Sequence, residues 1–255
     1  RTMAIDDVII ATTSPQPRVL RQAQWLRPKR IIGFGAVAGL DVALSLDDAC
    51  RHEVEDVFRV ADLYGIAGPP PQCRVFAPGT AAPAPTLTIG IHISARKPSQ
   101  RWPAERFAEA MQAIAAQTPA RFMLLWSPGA EDNPLHPGDD AKARDLMARV
   151  GAGGTAITVE ARPTQTLSEL IAALAECSVV ICADGGAMHL AAGLGRPIVC
   201  LFGDSGATRW RPWGVPYRLL QKPSRDVRDI AAGEVVAAFN ALRADIPVPS
   251  GADRP

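Results

Sequence analysis

Residues 179–203, VVICADGGAMHLAAGLGRPIVCLFG, contain the alternation that decides the fold. The apolar run at 179–183 predicts a buried strand, and a short apolar helix is predicted at 187–194. Gly195 ends that helix, and the apolar run at 197–202 predicts a second strand. A strand, a helix and a strand in this order are typical of a parallel βαβ unit, so the stretch predicts an α/β protein.

The same alternation runs through the second half of the chain. Further strands are predicted at 87–93, 121–126, 155–159 and 217–221, and further helices at 104–117, 139–150, 168–176 and 227–244. Together they make about six βα units, which is the pattern of a Rossmann-like domain with a parallel sheet.

The first half predicts a smaller part of a similar domain. Strands are predicted at 7–11 and 30–34, and helices at 16–26 and 51–64. Residues 65–86 carry six prolines, which exclude regular helix and predict a stiff linker. We therefore divide the chain into residues 1–80, which include the linker, and residues 81–255. Because the chain opens on Arg1 and its first apolar run follows within a few residues, we expect the first domain to be incompletely represented.

The composition is that of an ordinary globular protein with little net charge. The 255 residues include 27 lysines and arginines and 26 aspartates and glutamates, which leaves a formal charge of +1. That balance argues against nucleic acid as a partner and against a polybasic membrane-binding surface. No apolar run reaches the roughly 18 residues of a membrane span, and no secretory signal opens the chain. We expect a cytoplasmic protein.

The cysteines and histidines suggest neither a disulfide framework nor a metal site. Five cysteines, an odd number, lie at positions 50, 73, 177, 182 and 200, mostly within apolar stretches, and we expect reduced thiols. His136 with Asp139 and Asp140 resembles a metal site only superficially. Cys177 and Cys182 lie at either end of a predicted strand rather than in a knuckle, so we expect no metal.

The segment after the strand at 179–183 is the richest in candidate site residues. Asp184 follows the strand at the carboxyl edge of the sheet, where open α/β sheets bind ligands. Gly185 and Gly186 let the backbone approach a ligand, and the helix N-terminus suits a phosphate or pyrophosphate, with His189 as a further donor. By spacing alone the alternative is equally good: Asp184 caps the helix and the glycines form an ordinary turn.

Two further segments follow strands at the same edge. Residues 92–103 crowd hydrogen-bonding and cationic side chains, namely Ser94, Lys97, Gln100 and Arg101, into one loop whose ligand would be anionic. Residues 203–214 begin at Gly203 and contain Trp210 and Trp213, which we interpret as structural. Glu131 follows a third strand and could accept hydrogen bonds from ribose hydroxyls. The alternative for all these charges is that they are solvated loop residues.

Taken together, the three segments resemble glycosyltransferase family 9, the heptosyltransferases. The family pattern Asp-Ser/Thr-Gly-x-x-His-Leu-Ala-Ala-x-Leu-Gly-x-Pro, followed by a strand and Phe-Gly-Pro-Thr, is similar to residues 184–203. The family's Lys-Arg-Trp-Pro loop has its counterpart in residues 100–103, and its Arg-Trp-x-Pro-Trp-Gly stretch in residues 209–214. The resemblance covers the second domain almost from end to end and extends weakly into the first.

The resemblance implies a GT-B fold of two Rossmann-like domains, with the acceptor on the first and the donor on the second. It implies inverting, metal-independent transfer of a heptose from a nucleotide sugar, typically ADP-heptose, to lipopolysaccharide core or another glycan, with no cofactor. It also implies a location at the cytoplasmic face of the bacterial inner membrane, with peripheral membrane contact allowed. The implied donor-site residues are Ser94, Gln100, Arg101, Glu131, Asp184, Gly185, Gly186, His189 and Gly203.

Three positions depart from the family pattern. Gln100 stands where the family commonly has lysine, Gly185 where it has serine or threonine, and Asp204 where it favours proline. The family's catalytic aspartate, the general base for the acceptor hydroxyl, has no counterpart in this sequence, so we assign no catalytic residue. These departures leave open an alternative, a degenerate protein of the same fold that binds nucleotide sugars or partners without catalysis. A uridine donor is a third option.

Overall fold

The computed structural model describes residues 4–14, 16–46, 51–77, 87–133, 137–154 and 156–244. The chain forms two compact units, residues 1–71 with 208–210 and residues 72–207 with 211–255. The predicted boundary between residues 80 and 81, the prolines of the linker beyond residue 77, Cys50 and His136 all lie outside the described residues.

The first unit contains a small parallel sheet. Its strands are β1 (Asp7–Ile9), β2 (Arg30–Phe34) and β3 (Val42–Leu44), and its helices are α1 (Pro17–Trp25) and α2 (Glu53–Phe58). The strand order is β1-β2-β3, and both pairs are parallel. The two strands predicted for this half are confirmed, and the short β3 was not predicted.

The helix predicted at 51–64 is divided in the structure, which corrects that prediction. The imidazole Nδ1 of His52 accepts from the Val54 N–H at 3.1 Å, and the Glu55 carboxylate accepts from the His52 N–H at 2.7 Å. This reciprocal capping box starts α2 at residue 53. A 3-10 helix, Arg59–Tyr64, follows directly and ends at Gly65, which adopts the left-handed conformation at φ 69°.

The second unit is a six-stranded parallel sheet with helices on both faces. Its strands are β4 (Thr88–His92), β5 (Arg121–Trp126), β6 (Thr158–Pro163), β7 (Val179–Ala183), β8 (Ile198–Phe202) and β9 (Tyr217–Gln221). Its helices are α3 (Ala104–Gln117), α4 (Asp140–Ala152), α5 (Leu167–Glu176), α6 (Gly186–Gly193) and α8 (Ala232–Ala244). A short helix, α7 (Ala207–Trp210), begins in this unit, and its residues 208–210 belong to the first unit. No helix in the described part of the chain is both long and apolar enough to span a membrane.

The strand order β6-β5-β4-β7-β8-β9 places a topological switch point between β4 and β7. From β4 the chain builds outwards through β5 to β6, and then returns to add β7, β8 and β9 on the other side. Loops leave the carboxyl ends of β4 and β7 in opposite directions, which opens a crevice where doubly wound sheets bind ligands. The predicted Rossmann-like sheet is confirmed.

Two predicted boundaries in the second unit are corrected. The strand expected at 155–159 lies at Thr158–Pro163. This β6 is an edge strand that contains charged residues, and its Arg162 pairs with both Glu160 and Glu176. The helix expected at 227–244 is interrupted: a 3-10 turn covers Val227–Asp229 and α8 begins at Ala232.

Two hydrophobic cores form on the two faces of this sheet. One lies under α3, α4 and α8, and the other under α5 and α6. Trp102, immediately before α3, is 1% exposed and packs edge-on against Phe107 with the ring centroids 4.6 Å apart. Its indole N–H donates to the Ile230 carbonyl at 3.0 Å, which ties the loop after β4 to the start of α8.

We predict that Trp102→Phe lowers the free energy of unfolding by roughly 1–3 kcal/mol, because it keeps a ring in the core but leaves the buried Ile230 carbonyl without its donor. Urea unfolding followed by circular dichroism measures the change. The control is Trp25→Phe, at a side chain that is 82% exposed, which we expect to be neutral. Equal effects of the two substitutions would contradict the role of the hydrogen bond.

Candidate functional site

A buried hydrogen bond joins the loops that follow β4 and β7. Gln100 ends a 3-10 turn after β4, and its amide Nε2 donates to Asp184 Oδ2 at 3.0 Å. Gln100 is 7% exposed and Asp184 is 9% exposed. The same amide also donates to the Ser205 hydroxyl at 3.0 Å. The three residues thus connect the loops after β4, β7 and β8 at the carboxyl edge of the sheet.

The backbone opens directly after Asp184, at the start of α6. Gly185 is the N-cap residue and has an extended backbone at φ 160°, with no side-chain cap on the helix. Gly185 and Gly186 are exposed, and a Cβ atom added to either would have no neighbour within 4 Å. The first N–H groups of a helix have no partner within it and carry a partial positive charge. This end of α6 can therefore accept an anion.

His189 lies one turn into α6 and is exposed. Its backbone N–H donates to the Gly185 carbonyl at 3.4 Å, as in a regular helix. The side chain is on the same short helix as the two glycines, which is compatible with the predicted role of a further donor. That role stays a prediction.

Gly203 allows a close backbone approach between two loops at this edge. A Cβ atom at this position would lie 2.3 Å from the Ser99 carbonyl oxygen, so the loop after β4 and the end of β8 touch only because residue 203 is glycine. The Gly203 carbonyl accepts from Gln221 Nε2 at 2.8 Å, and the same amide donates to the Ser205 carbonyl at 2.9 Å. Gln221, at the end of β9, fixes the loop 203–205 from the far side.

Arg101 is held by carboxylates. Its Nη2 atom lies 2.7 Å from Asp139 Oδ1 and 2.9 Å from Glu131 Oε1, and its Nη1 atom donates to the Ala95 carbonyl at 2.9 Å. Asp139 is buried, whereas the Glu131 side chain is 67% exposed. The two carboxylates offset the charge of Arg101, which we predicted would face phosphates.

Ser94 and Lys97 are also engaged. The Ser94 hydroxyl accepts from the Ser127 N–H at 2.8 Å, which joins the loops after β4 and β5. Lys97 pairs with Asp204 at 3.1 Å, and this contact lowers the pKa of the Asp204 carboxyl. The negative charge that Asp204 adds to the loop after β8 is therefore offset locally.

Beneath this edge lie two basic groups that the sequence did not single out as site residues, the buried His92 and the half-buried Lys142. The Lys142 ammonium donates to the Ile93 carbonyl at 2.9 Å and lies 5.3 Å from the centre of the Phe107 ring. Burial lowers the pKa of Lys142 to about 8, and burial with the nearby Lys142 charge lowers the pKa of His92 to about 4. His92 is therefore a neutral imidazole at physiological pH.

The structure brings all the predicted donor-site residues to one edge of the sheet, in two groups. Gln100, Asp184 and Gly203 meet in one network near the exposed start of α6, whereas Arg101 binds Glu131 and Ser94 binds the loop after β5. Ser205, Gln221 and Asp139 belong to these networks and were not predicted from the sequence. The only signal was their position: Ser205 lies just after a strand, Gln221 at the end of one, and Asp139 directly before a helix.

The described residues contain no cluster of three or more His, Cys, Asp or Glu side chains arranged to hold a metal ion. Cys177, Cys182 and Cys200 are buried and free, and Cys73 is exposed and free. Burial raises the pKa of the three buried thiols well above the usual range. They are core residues at neutral pH.

Comparison with known proteins identifies the family. A model for glycosyltransferase family 9 (heptosyltransferase) matches residues 40–229, which is well over half of the chain. The chain belongs to glycosyltransferase family 9. It is thus a member of a family of glycosyltransferases, as the resemblance of residues 184–203 implied. No curated protein matches the chain.

Solved structures share the fold at low sequence identity. A family 9 glycosyltransferase from Veillonella parvula is 20% identical, with a TM-score of 0.73 over 94% of this chain and 74% of that protein. Heptosyltransferase WaaC of E. coli with ADP is 16% identical, with a TM-score of 0.69 over 94% and 73% of the two chains. The ADP-heptose lipopolysaccharide heptosyltransferase II of E. coli is 19% identical, with a TM-score of 0.66 over 92% and 75%. These similarities confirm the α/β, GT-B type fold.

We predict that Gly203→Ala lowers the free energy of unfolding by roughly 1–3 kcal/mol, because its methyl group would overlap the Ser99 carbonyl. Gly185→Ala is the control, since a methyl group there meets open space. Thermal and urea unfolding measure both. If Gly203→Ala were as harmless as the control, the close approach of the two loops would not constrain the site.

We predict that His92 makes the protein less stable in acid. The folded pKa of about 4 lies below the ordinary histidine value of 6.5, so between these values the unfolded chain binds a proton that the folded chain does not. The contribution of His92 to the free energy of unfolding is complete above pH 6.5, and it falls by about 2–3 kcal/mol between pH 7 and pH 4.5. His92→Gln should remove that part of the slope in urea unfolding at a series of pH values. Parallel slopes for the two proteins would contradict the assignment.

Proposed function

We propose that this protein transfers a heptose from ADP-heptose to a lipopolysaccharide-core-type acceptor, with inversion and without a metal ion. The observation that carries the proposal is the buried Gln100–Asp184 pair beside the uncapped start of α6, at the switch point of the sheet. This arrangement offers a carboxylate that can bind hydroxyls and a helix end that can bind an anion, and a nucleotide sugar has both hydroxyls and a diphosphate. Membership of family 9 supports the same activity.

In this proposal the diphosphate lies against the start of α6. Gly185 and Gly186 leave the helix end open, and the N–H groups of the first turn meet the negative charge. Asp184 would repel a phosphate, so its carboxylate is better suited to sugar or ribose hydroxyls, which donate to it. Gln100 occupies Oδ2 of that carboxylate and fixes its orientation.

Departure of the nucleoside diphosphate is the step that the site would assist. Charge develops on the leaving group, and fixed N–H dipoles and cations stabilise it without reorganisation. Inversion further requires a general base beside the acceptor hydroxyl, and we assign that role to no residue of this chain.

The names of the structural relatives support the choice of donor. One E. coli structure holds ADP, and another holds ADP-2-deoxy-2-fluoro heptose. We extend an adenine donor to this chain as part of the proposal. A lipopolysaccharide-type acceptor would place the enzyme at the cytoplasmic face of the inner membrane, in peripheral contact with it.

Nucleotide binding tests the proposal directly. We expect ADP and ADP-heptose, but not UDP or GDP, to raise the melting temperature, by the equivalent of about 2.7 kcal/mol at a hundred times the dissociation constant. Asp184→Asn should weaken ADP-heptose binding strongly, because it removes the acceptor charge from the hydroxyl site. Asp145→Asn on α4, whose carboxylate pairs with Arg149 on the same helix, is the matched control.

The outcomes separate the alternatives. A response to UDP instead of ADP would favour the uridine donor. Binding of ADP-heptose without transfer to any acceptor would favour the non-catalytic protein of the same fold. If Asp184→Asn binds ADP-heptose as tightly as the original protein does, the donor site does not lie in the crevice between β4 and β7.

A further inference from the structure

Two of the cations in the loop after β4 are already paired with carboxylates. Arg101 is held by Asp139 and Glu131, and Lys97 is held by Asp204. Gln100, between them, carries no charge. A diphosphate at the start of α6 would therefore meet helix N–H groups but neither Lys97 nor Arg101 as a free cation, although a leaving diphosphate needs its charge balanced. Arg96, in the same loop, is exposed, and no described hydrogen bond joins it to Gln100, Asp184 or Ser205.

Arg225 contacts the network of Gln100, Asp184 and Ser205 from the turn that follows β9. It follows β9 and closes a turn in which its N–H donates to the Lys222 carbonyl at 3.0 Å. Its Nη1 atom donates to the Ser205 carbonyl at 3.1 Å. The Ser205 hydroxyl in turn accepts from Gln100, which binds Asp184. Two residues, Ser205 and Gln100, and three hydrogen bonds thus connect the guanidinium to the Asp184 carboxylate.

The charge of Arg225 is not offset. The residue is exposed, and within the described ranges no carboxylate forms an ion pair with it; the neighbouring Asp226 pairs with Arg228 instead. One N–H of its guanidinium is used on Ser205, which leaves further donors in the planar fork that matches phosphate oxygens. Arg225 thus differs from Lys97 and Arg101 in having its charge available.

The backbone at Arg225 is also unusual. Its φ angle is +59°, in the left-handed region that favours glycine, and among the described non-glycine residues only Arg27 shares a positive φ. This conformation turns the chain after β9 back towards the loop at 203–205. An arginine at this position provides a guanidinium, but its backbone conformation is less favourable than that of a glycine would be.

We propose that Arg225 is a donor-binding residue that contacts the diphosphate of the nucleotide sugar and supplies the positive charge that Gln100 does not. This inference rests on the proposed function, since it requires a diphosphate at the start of α6. Arg225 approaches from the β9 side, whereas the helix N–H groups approach from the β7 side. Ser205 positions the guanidinium before the ligand arrives.

The test uses Arg225→Gly, because glycine suits the left-handed backbone and the variant should be at least as stable as the original protein. We expect ADP to bind roughly 10- to 100-fold more weakly, as for loss of a charge-assisted hydrogen bond, and adenosine to bind as before. Arg225→Lys should bind ADP with intermediate affinity. Isothermal titration with ADP, AMP and adenosine at two salt concentrations measures these changes.

Arg27→Gly is the matched control, since it makes the same substitution at the other described positive-φ arginine, in the first unit. It should leave ADP affinity unchanged. If Arg225→Gly binds ADP as tightly as the original protein does, the role of Arg225 is wrong while the proposed function stands. Equal weakening of ADP and adenosine would reduce Arg225 to a structural residue of the loop. If the original protein binds no nucleotide, the proposed function and this inference both fail.

Discussion

The parallel pairing of β4 with β7 is the constraint on which the second unit depends. Ile89 to His92 of β4 pair with Val179 to Cys182 of β7, in the centre of the sheet and buried on both faces. These strands are neighbours in the sheet but far apart in the chain, and the loops that follow them leave in opposite directions, which opens the crevice at the carboxyl edge. Gln100 and Asp184 can meet across 84 positions of sequence only because this pairing brings the two loops together.

The buried charges of the site built on this pairing are only partly paired. Arg101 is matched by Asp139, and His92 is neutral next to the half-buried Lys142. The buried Asp184 carboxylate is bound by the neutral amide of Gln100 and by no described cation. Charges that leave water are costly unless they are paired, so a site assembled from buried loops has few charges to spare. Free charge must come from groups that remain in solvent, such as Arg225 on the turn after the outer strand β9.

The sequence predicted the central strands more closely than the edge strands. The strands at 121–126 and 179–183 have the predicted bounds, and of the two edge strands β9, at 217–221, was predicted correctly and β6 was not. The edge strand β6 was misplaced because Glu160 and Arg162 interrupt its apolar run. The candidate residues of the site followed from their position after strands and from the family resemblance. Their partners did not, because Arg101 with Asp139 and Gln221 with Ser205 are pairs that only the folded sheet selects.

The departures from the family pattern at Gln100, Gly185 and Asp204 do not disrupt this edge of the fold. The amide of Gln100 still reaches Asp184, the backbone at Gly185 is extended and surrounded by open space, and Asp204 is matched by Lys97. The Asp184 carboxylate is buried, but it keeps a hydrogen bond from the neutral amide of Gln100 in place of an ion pair. What they change is the charge facing a ligand. Because this edge of the fold is kept while its positive charge is lower, anion affinity shows whether the donor site works, whereas transfer to an acceptor separates an enzyme from the non-catalytic alternative.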